Sequence, residues 1–125
     1  MKIKILEKAL FKSWSKDTCY QPMEEKWTPK NPAWGQCYIT ALIVNDYFGG
    51  KILKTKFEDG TGHFWNLVDN KEIDLTRSQF DENEIISKPT IHSRDEIENN
   101  PKYKKYNQKY LILKKRVQKF LSEHN

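Results

Sequence analysis

Three side chains able to build a nucleophilic site occur along the chain in the order thiol, imidazole, carboxylate: Cys37, His63 and Asp74. In such a trio the thiolate attacks a carbonyl, the imidazole moves the proton, and the carboxylate fixes the tautomer and orientation of the ring. Gly35-Gln36-Cys37 opens an apolar run through Ile39, Leu42, Val44 and Phe48 that is longer than an ordinary strand and is closed by Gly49-Gly50. This pattern predicts a buried helix with Cys37 in its first turn. There the positive end of the backbone dipole favours a thiolate. A cysteine taken alone is more often inert filler, so the argument turns on His63 and Asp74.

His63 starts a strand, His63 to Val68, after the turn Asp59-Gly60-Thr61-Gly62, and Asp74 sits in the returning strand, Lys71 to Thr76. The two-residue turn Asp69-Asn70 pairs Val68 with Lys71, sets Trp65 opposite Asp74 and His63 opposite Thr76. His63 and Asp74 are then diagonal neighbours on one face, with Cβ atoms about 7 Å apart. A three-residue turn would send them to opposite faces. The competing reading is a structural histidine and an aspartate on a half-solvated strand. If the trio is a site, the Cys37 N–H supplies one oxyanion donor. Gln36 and Asn31 are both candidates for the second, and the sequence does not choose between them. Trp27, Trp34, Trp65 and Thr76 are candidates for the substrate cleft, with Trp65, like Trp14, also a natural core residue.

The elements that must position these groups follow from periodicity. Ile5, Ala9, Leu10 and Trp14, flanked by Leu6 and Phe11, predict a helix from Ile3 to Ser15. Cys19 to Pro32 carries Pro22, Pro29 and Pro32 and no apolar period, which predicts a long ordered loop. Lys51 to Phe57 alternates as a strand, and with the two strands above forms an antiparallel meander. Gln79-Phe80 suggests a turn and Ile85-Ile86-Ser87 a short strand. Ser93 with Glu96 three residues on predicts a helix start that runs to Pro101. Tyr106 to His124 predicts a last helix with Tyr110, Leu113, Val117, Phe120 and Leu121 on its apolar side. The whole reads as one α+β domain, residues 1–125.

The totals exclude several classes. The 125 residues carry 22 Lys+Arg against 17 Asp+Glu, a net charge of +5 with much of the excess in the C-terminal third. That excess reads as a solvated helix face before it reads as a nucleic-acid surface. No apolar run approaches membrane-spanning length, and Met1 to Lys8 is charged rather than signal-like. The expectation is a cytoplasmic protein with free thiols at Cys19 and Cys37. No CxxC spacing occurs, so neither a metal nor a cofactor is expected.

Asn31-Pro32-Ala33-Trp34-Gly35-Gln36-Cys37, Thr40-Ala41-Leu42, Gly49-Gly50, His63-Phe64-Trp65-Asn66 and Asp74-Leu75-Thr76 with Gln79-Phe80 resemble the YunG family of small bacterial proteins. Ser13-Trp14-Ser15, Thr18, Trp27 and Arg116-Val117 extend the likeness. It implies a bacterial cytoplasmic home and no particular reaction. More distantly, the order of a cysteine on a helix, His-x-Trp on a strand and Asp-x-Thr on the next resembles the transglutaminase-like and papain-like core. That likeness implies a Cys37–His63–Asp74 triad in an amidase, peptidase or acyl transferase.

Two functions are therefore carried forward. One is an enzyme that hydrolyses or transfers an acyl group at a peptide or small-molecule amide or ester through a thioester. The other is a non-catalytic binding domain whose C-terminal lysines, Lys102 to Lys119, meet nucleic acid or an acidic protein. A Cys19–Cys37 redox pair is a third, weaker reading.

Overall fold

The computed structural model describes residues 1–57, 61–77 and 88–124. Its elements are α1 (Ile3–Ser13), α2 (Cys37–Phe48), β1 (Lys51–Lys56), β2 (Gly62–Val68), β3 (Lys71–Ile73), β4 (Thr90–His92), α3 (Arg94–Glu98) and α4 (Asn107–Glu123). The architecture is α+β, with a four-stranded antiparallel sheet in the order β3-β2-β1-β4. The expected three-stranded meander thus gains β4 on its β1 edge, where Leu53 faces Ile91. The turn expected at Gln79-Phe80 and the strand at Ile85-Ile86-Ser87 fall outside the described residues, as does most of the turn at Asp59-Gly60.

Asp69 and Asn70 both have positive φ, 50° and 64°. This left-handed pair matches the twist of the flanking strands and closes the hairpin in two residues. The register follows: Val68 pairs with Lys71 and Asn66 with Ile73. β3 ends at Ile73, not at Thr76. The cause is local. The Asp74 carboxylate accepts the Thr76 N–H at 3.2 Å and the Thr76 hydroxyl at 3.3 Å, and such a turn competes with the strand ladder.

α2 is buried nearly all round, from Tyr38 to Val44, because it lies between the sheet and α4. That position explains an apolar pattern without a clear stripe. Phe64 and Ile52 belong to the core that α2 shares, and the Asn66 side chain donates to the Ala41 carbonyl at 2.9 Å. α1 packs on α4 through Leu6, Ala9, Leu10 and Ser13. The stripe is shifted from the expected one, since Ile5 and Phe11 are exposed. Spacing of three, four and seven residues from Leu6 gives the buried face. The Trp14 indole N–H reaches across to the Thr40 hydroxyl at 2.9 Å. Burying each of Leu6, Leu10, Leu42 and Leu113 completely contributes about 2 kcal/mol.

The segment expected as a loop contains two 3₁₀ turns, Lys16–Thr18 and Gln21–Lys26. Pro22 stands at the start of the second, where its fixed φ is preorganised and its missing N–H is no loss. Ser93 and Glu96 form the expected capping box of α3, which ends at Glu98. α4 begins one residue later than expected, after a 3₁₀ turn at Lys104–Tyr106. No helix among the described residues is long and apolar enough to cross a membrane.

Candidate active site

Cys37 is positioned by the chain that precedes it. Gly35 adopts φ +72°, a conformation that side chains disfavour, and a Cβ there would run into the Cys19 Sγ. The Gly35 carbonyl accepts the Tyr20 N–H at 2.8 Å, stitching this strand of loop to Cys19-Tyr20. Gln36 is fully buried. Its Oε1 accepts from the Thr18 hydroxyl at 2.8 Å, and its Nε2 donates to the Ser15 carbonyl at 3.0 Å. These contacts fix the point at which α2 starts. Gln36 gives the helix no side-chain cap, so the first-turn N–H groups, Cys37 among them, keep their donors.

The Cys37 thiol is partly exposed and lines a cleft of about 170 Å³ together with Gly62, Phe64, Tyr20, Tyr103 and Tyr106. Sγ lies 4.0 Å from the Gly62 carbonyl, at the start of β2. The next residue is His63, whose side chain has no exposed surface. Its Nε2 donates to Asp74 Oδ2 at 2.7 Å, and the Cys37 thiol lies close enough to the ring to raise its pKa. The structure therefore brings Cys37, His63 and Asp74 into one sequence of contacts. Burial acts against a charged imidazole, but the Asp74 hydrogen bond, the nearby Cys37 thiol and the negative charges of those partners outweigh it, pushing the His63 pKa up from 6.5 to about 9.

Four aromatic and hydroxyl side chains expected near a substrate have other positions. Trp65 stacks on the His63 ring at 5.3 Å and 20°, and its indole N–H donates to Glu72 Oε1 at 2.7 Å. It shields the imidazole and ties β2 to β3. Thr76 is buried and steers Asp74 through its two hydrogen bonds. Trp27 donates to the Pro32 carbonyl at 3.1 Å and Trp34 to the Met23 carbonyl at 3.0 Å. Both fold the loop ahead of Cys37, and none of the four is among the described residues lining the cleft. Of the two amides considered for the oxyanion, Gln36 has one side-chain N–H engaged by Ser15, while the Asn31 backbone carbonyl accepts the Trp34 backbone N–H at 3.1 Å. Phe57, which stacks on His63 at 6.0 Å, was not anticipated. Among the described residues no group of three or more His, Cys, Asp or Glu side chains is arranged to hold a metal ion.

The fold and site define an α+β protein whose central helix begins at a cysteine beside a buried histidine–aspartate pair. The YunG protein family model matches residues 2–122, and the chain belongs to that family. It is 39% identical over 71 residues to a Bacillus subtilis (strain 168) protein named "Uncharacterized protein YunG". That match covers 57% of this chain and 56% of the relative, so the chain spans little more than half the relative's length. No solved structure gives a significant match.

Proposed function

We propose that the chain is a thiol-dependent hydrolase or acyl transferase that opens an amide or ester through a thioester, in the manner of papain-like and transglutaminase-like enzymes. One observation carries this reading: a completely buried imidazole held by a carboxylate at 2.7 Å, with its pKa raised by a neighbouring thiol that lines a cleft. Buried imidazoles that only fill space need no second acidic partner at a helix start.

The chemistry follows from the positions. With the proton they share resting on His63, the Cys37 sulfur lone pair forms a bond to the substrate carbonyl carbon. The carbonyl π pair moves to oxygen, where the Cys37 N–H stabilises it at the N-terminus of α2. Collapse breaks the bond to the leaving amine or alcohol, which takes the proton from His63. Water or an amine, deprotonated by His63, then attacks the thioester and releases the thiolate. Asp74 stays ionised and acts as a positioning residue, itself oriented by Thr76.

Iodoacetamide labelling followed by peptide mass analysis tests the reading. Cys37 should alkylate faster than Cys19 near neutral pH, and His63→Ala should slow Cys37 alone. Slow and equal labelling of the two thiols would favour a binding domain that keeps the cleft without the chemistry. A panel of simple amides and esters, read for a mass increase on Cys37, then tests for the thioester.

A further inference from the structure

The lining of the same cleft narrows the substrate, an inference that rests on the thiol-nucleophile reading. Among the described residues the cleft beside Cys37 is lined by Lys54, Lys56, Lys102, Lys105 and Lys109, and by no carboxylate. The lysines arrive from two directions. Lys54 and Lys56 alternate along β1 and pair with Phe64 and Gly62, so they share the sheet face that meets the cleft. The other three come from the turn that leads into α4 and from its first turn.

Among the described residues only Lys109 of the five is matched by an acid: it donates to Glu24 Oε1 at 2.8 Å and to the Cys19 carbonyl. Lys54, Lys56, Lys102 and Lys105 form no ion pair with any described residue. Lys54, Lys102 and Lys105 rest instead on rings. The Lys54 Nζ lies 5.0 Å from the Tyr103 centroid, Lys102 lies 5.8 Å from the same ring, and Lys105 lies 5.3 Å from Tyr106. Ring faces weakly favour each ammonium but do not neutralise it. Cations gathered in one concavity focus a positive potential that an anion relieves. The tyrosine rings themselves pack together, Tyr38 on Tyr103 at 5.1 Å, and give the cleft a flat apolar wall.

We propose that the substrate is an acyl compound bearing a phosphate or carboxylate, whose anionic group is held by Lys54, Lys56, Lys102 and Lys105 while its carbonyl meets Cys37. The part of the substrate between the anion and the carbonyl lies along Tyr103 and Tyr106. Phosphate and carboxylate are the same chemistry to an ammonium, so the lysines alone leave both admissible.

Paired alkylating reagents test this without knowledge of the substrate. Iodoacetate and iodoacetamide perform the same step: the Cys37 sulfur forms a bond to carbon, the carbon–iodine bond breaks, and iodide leaves. They differ in one negative charge. The iodoacetate-to-iodoacetamide rate ratio at Cys37 should exceed that of glutathione by about tenfold, a difference of about 1.4 kcal/mol. Lys54→Gln combined with Lys105→Gln should bring the ratio back toward the glutathione value. Lys115→Gln, on the exposed side of α4, should leave it unchanged.

Competition then separates the two anions. Slowing of iodoacetamide by inorganic pyrophosphate assigns a phosphate, slowing by citrate assigns a carboxylate, and slowing by neither overturns the proposal. A Cys37 that reacts fast with iodoacetamide yet shows no preference for iodoacetate overturns the anionic substrate and leaves the nucleophile standing. So does a preference that survives the double lysine variant, since the imidazolium then accounts for it. A Cys37 inert to both reagents overturns both.

Discussion

Cys19 and Cys37 flank the same loop, and both are free thiols. Cys19 is fully buried. Its sulfur fills the space left by the missing side chain of Gly35, and its thiol donates to the Tyr20 carbonyl at 3.5 Å. Burial pushes its pKa up to about 11, against the nearby positive charge of Lys109. Cys37 stands at the first turn of α2, lines a cleft, and touches an imidazole. Identical functional groups thus receive opposite environments from one stretch of chain, and the first is what fixes the loop that presents the second. Reactivity here is a property of placement: helix start, acid–base partner and access, all absent at Cys19.

The sharpest way to break that comparison is to remove each sulfur in turn. Cys37→Ala should lower turnover of any substrate by about 10⁴-fold or more, as loss of a nucleophile does elsewhere. Cys19→Ala should leave turnover within a small factor and instead lower the urea midpoint, because it opens a cavity beside Gly35. Equal losses of activity would mean that the thiols act as a pair. Next in size is Asp74→Asn, which keeps the shape but permits the wrong imidazole tautomer. Its expected effect is a loss of about 10³-fold in kcat/KM with little change in stability, measured alongside the urea midpoint.

A smaller effect is expected where the two cysteines meet. Gly35→Ala sets a methyl against the Cys19 sulfur at a positive φ and should cost about 2 kcal/mol of stability. Pairing it with Cys19→Gly should recover part of that loss, because the obstructing sulfur is gone. Urea denaturation of the two single variants and the double variant gives the coupling. Additive losses would show that the backbone strain at Gly35, rather than contact with Cys19, is what matters.

Much of this site was legible because it depends on short-range rules. The apolar run after Gly35-Gln36 required a buried helix, and Asp69-Asn70 fixed the register of β2 on β3, just past whose end Asp74 meets His63. What escaped depends on contacts distant in sequence. Gln36 looked like an oxyanion donor, but its amide is drawn to Ser15 and Thr18, some twenty residues earlier, a pairing that no local pattern encodes. Thr76, a cleft candidate from sequence, is buried instead. The aspartate that makes the site also ends the strand, and turns Thr76 inward onto its own carboxylate. The lysine pair of β1 was visible as alternation, yet its meeting with Lys102 and Lys105 requires knowing where the last helix lies. β4 joins β1 from some thirty-six residues further on, with residues 78–87 just ahead of it outside the described residues.

The smallest effect expected is on pH, and its sign follows from His63. The folded-state pKa is raised above the unfolded value, from 6.5 to about 9. The folded protein therefore binds this proton more tightly than the unfolded chain does. The stability it contributes is fully present below pH 6.5 and is lost as pH rises through about 9. Wild-type protein should lose urea stability across that window, and His63→Gln, which cannot hold the proton, should flatten the loss. In the proposed reaction the same proton serves the site, since the leaving group would receive it from His63. Turnover should therefore decline on the alkaline side with a midpoint near 9, and Asp74→Asn should move that midpoint down by removing a hydrogen bond and a charge. Cys19 provides the internal reference, because its labelling should keep rising to higher pH while the Cys37-dependent reaction falls. A stability slope unchanged by His63→Gln would mean that the imidazole does not carry the extra proton, and the thiol beside it would then differ from Cys19 only in exposure and in its place at the start of α2.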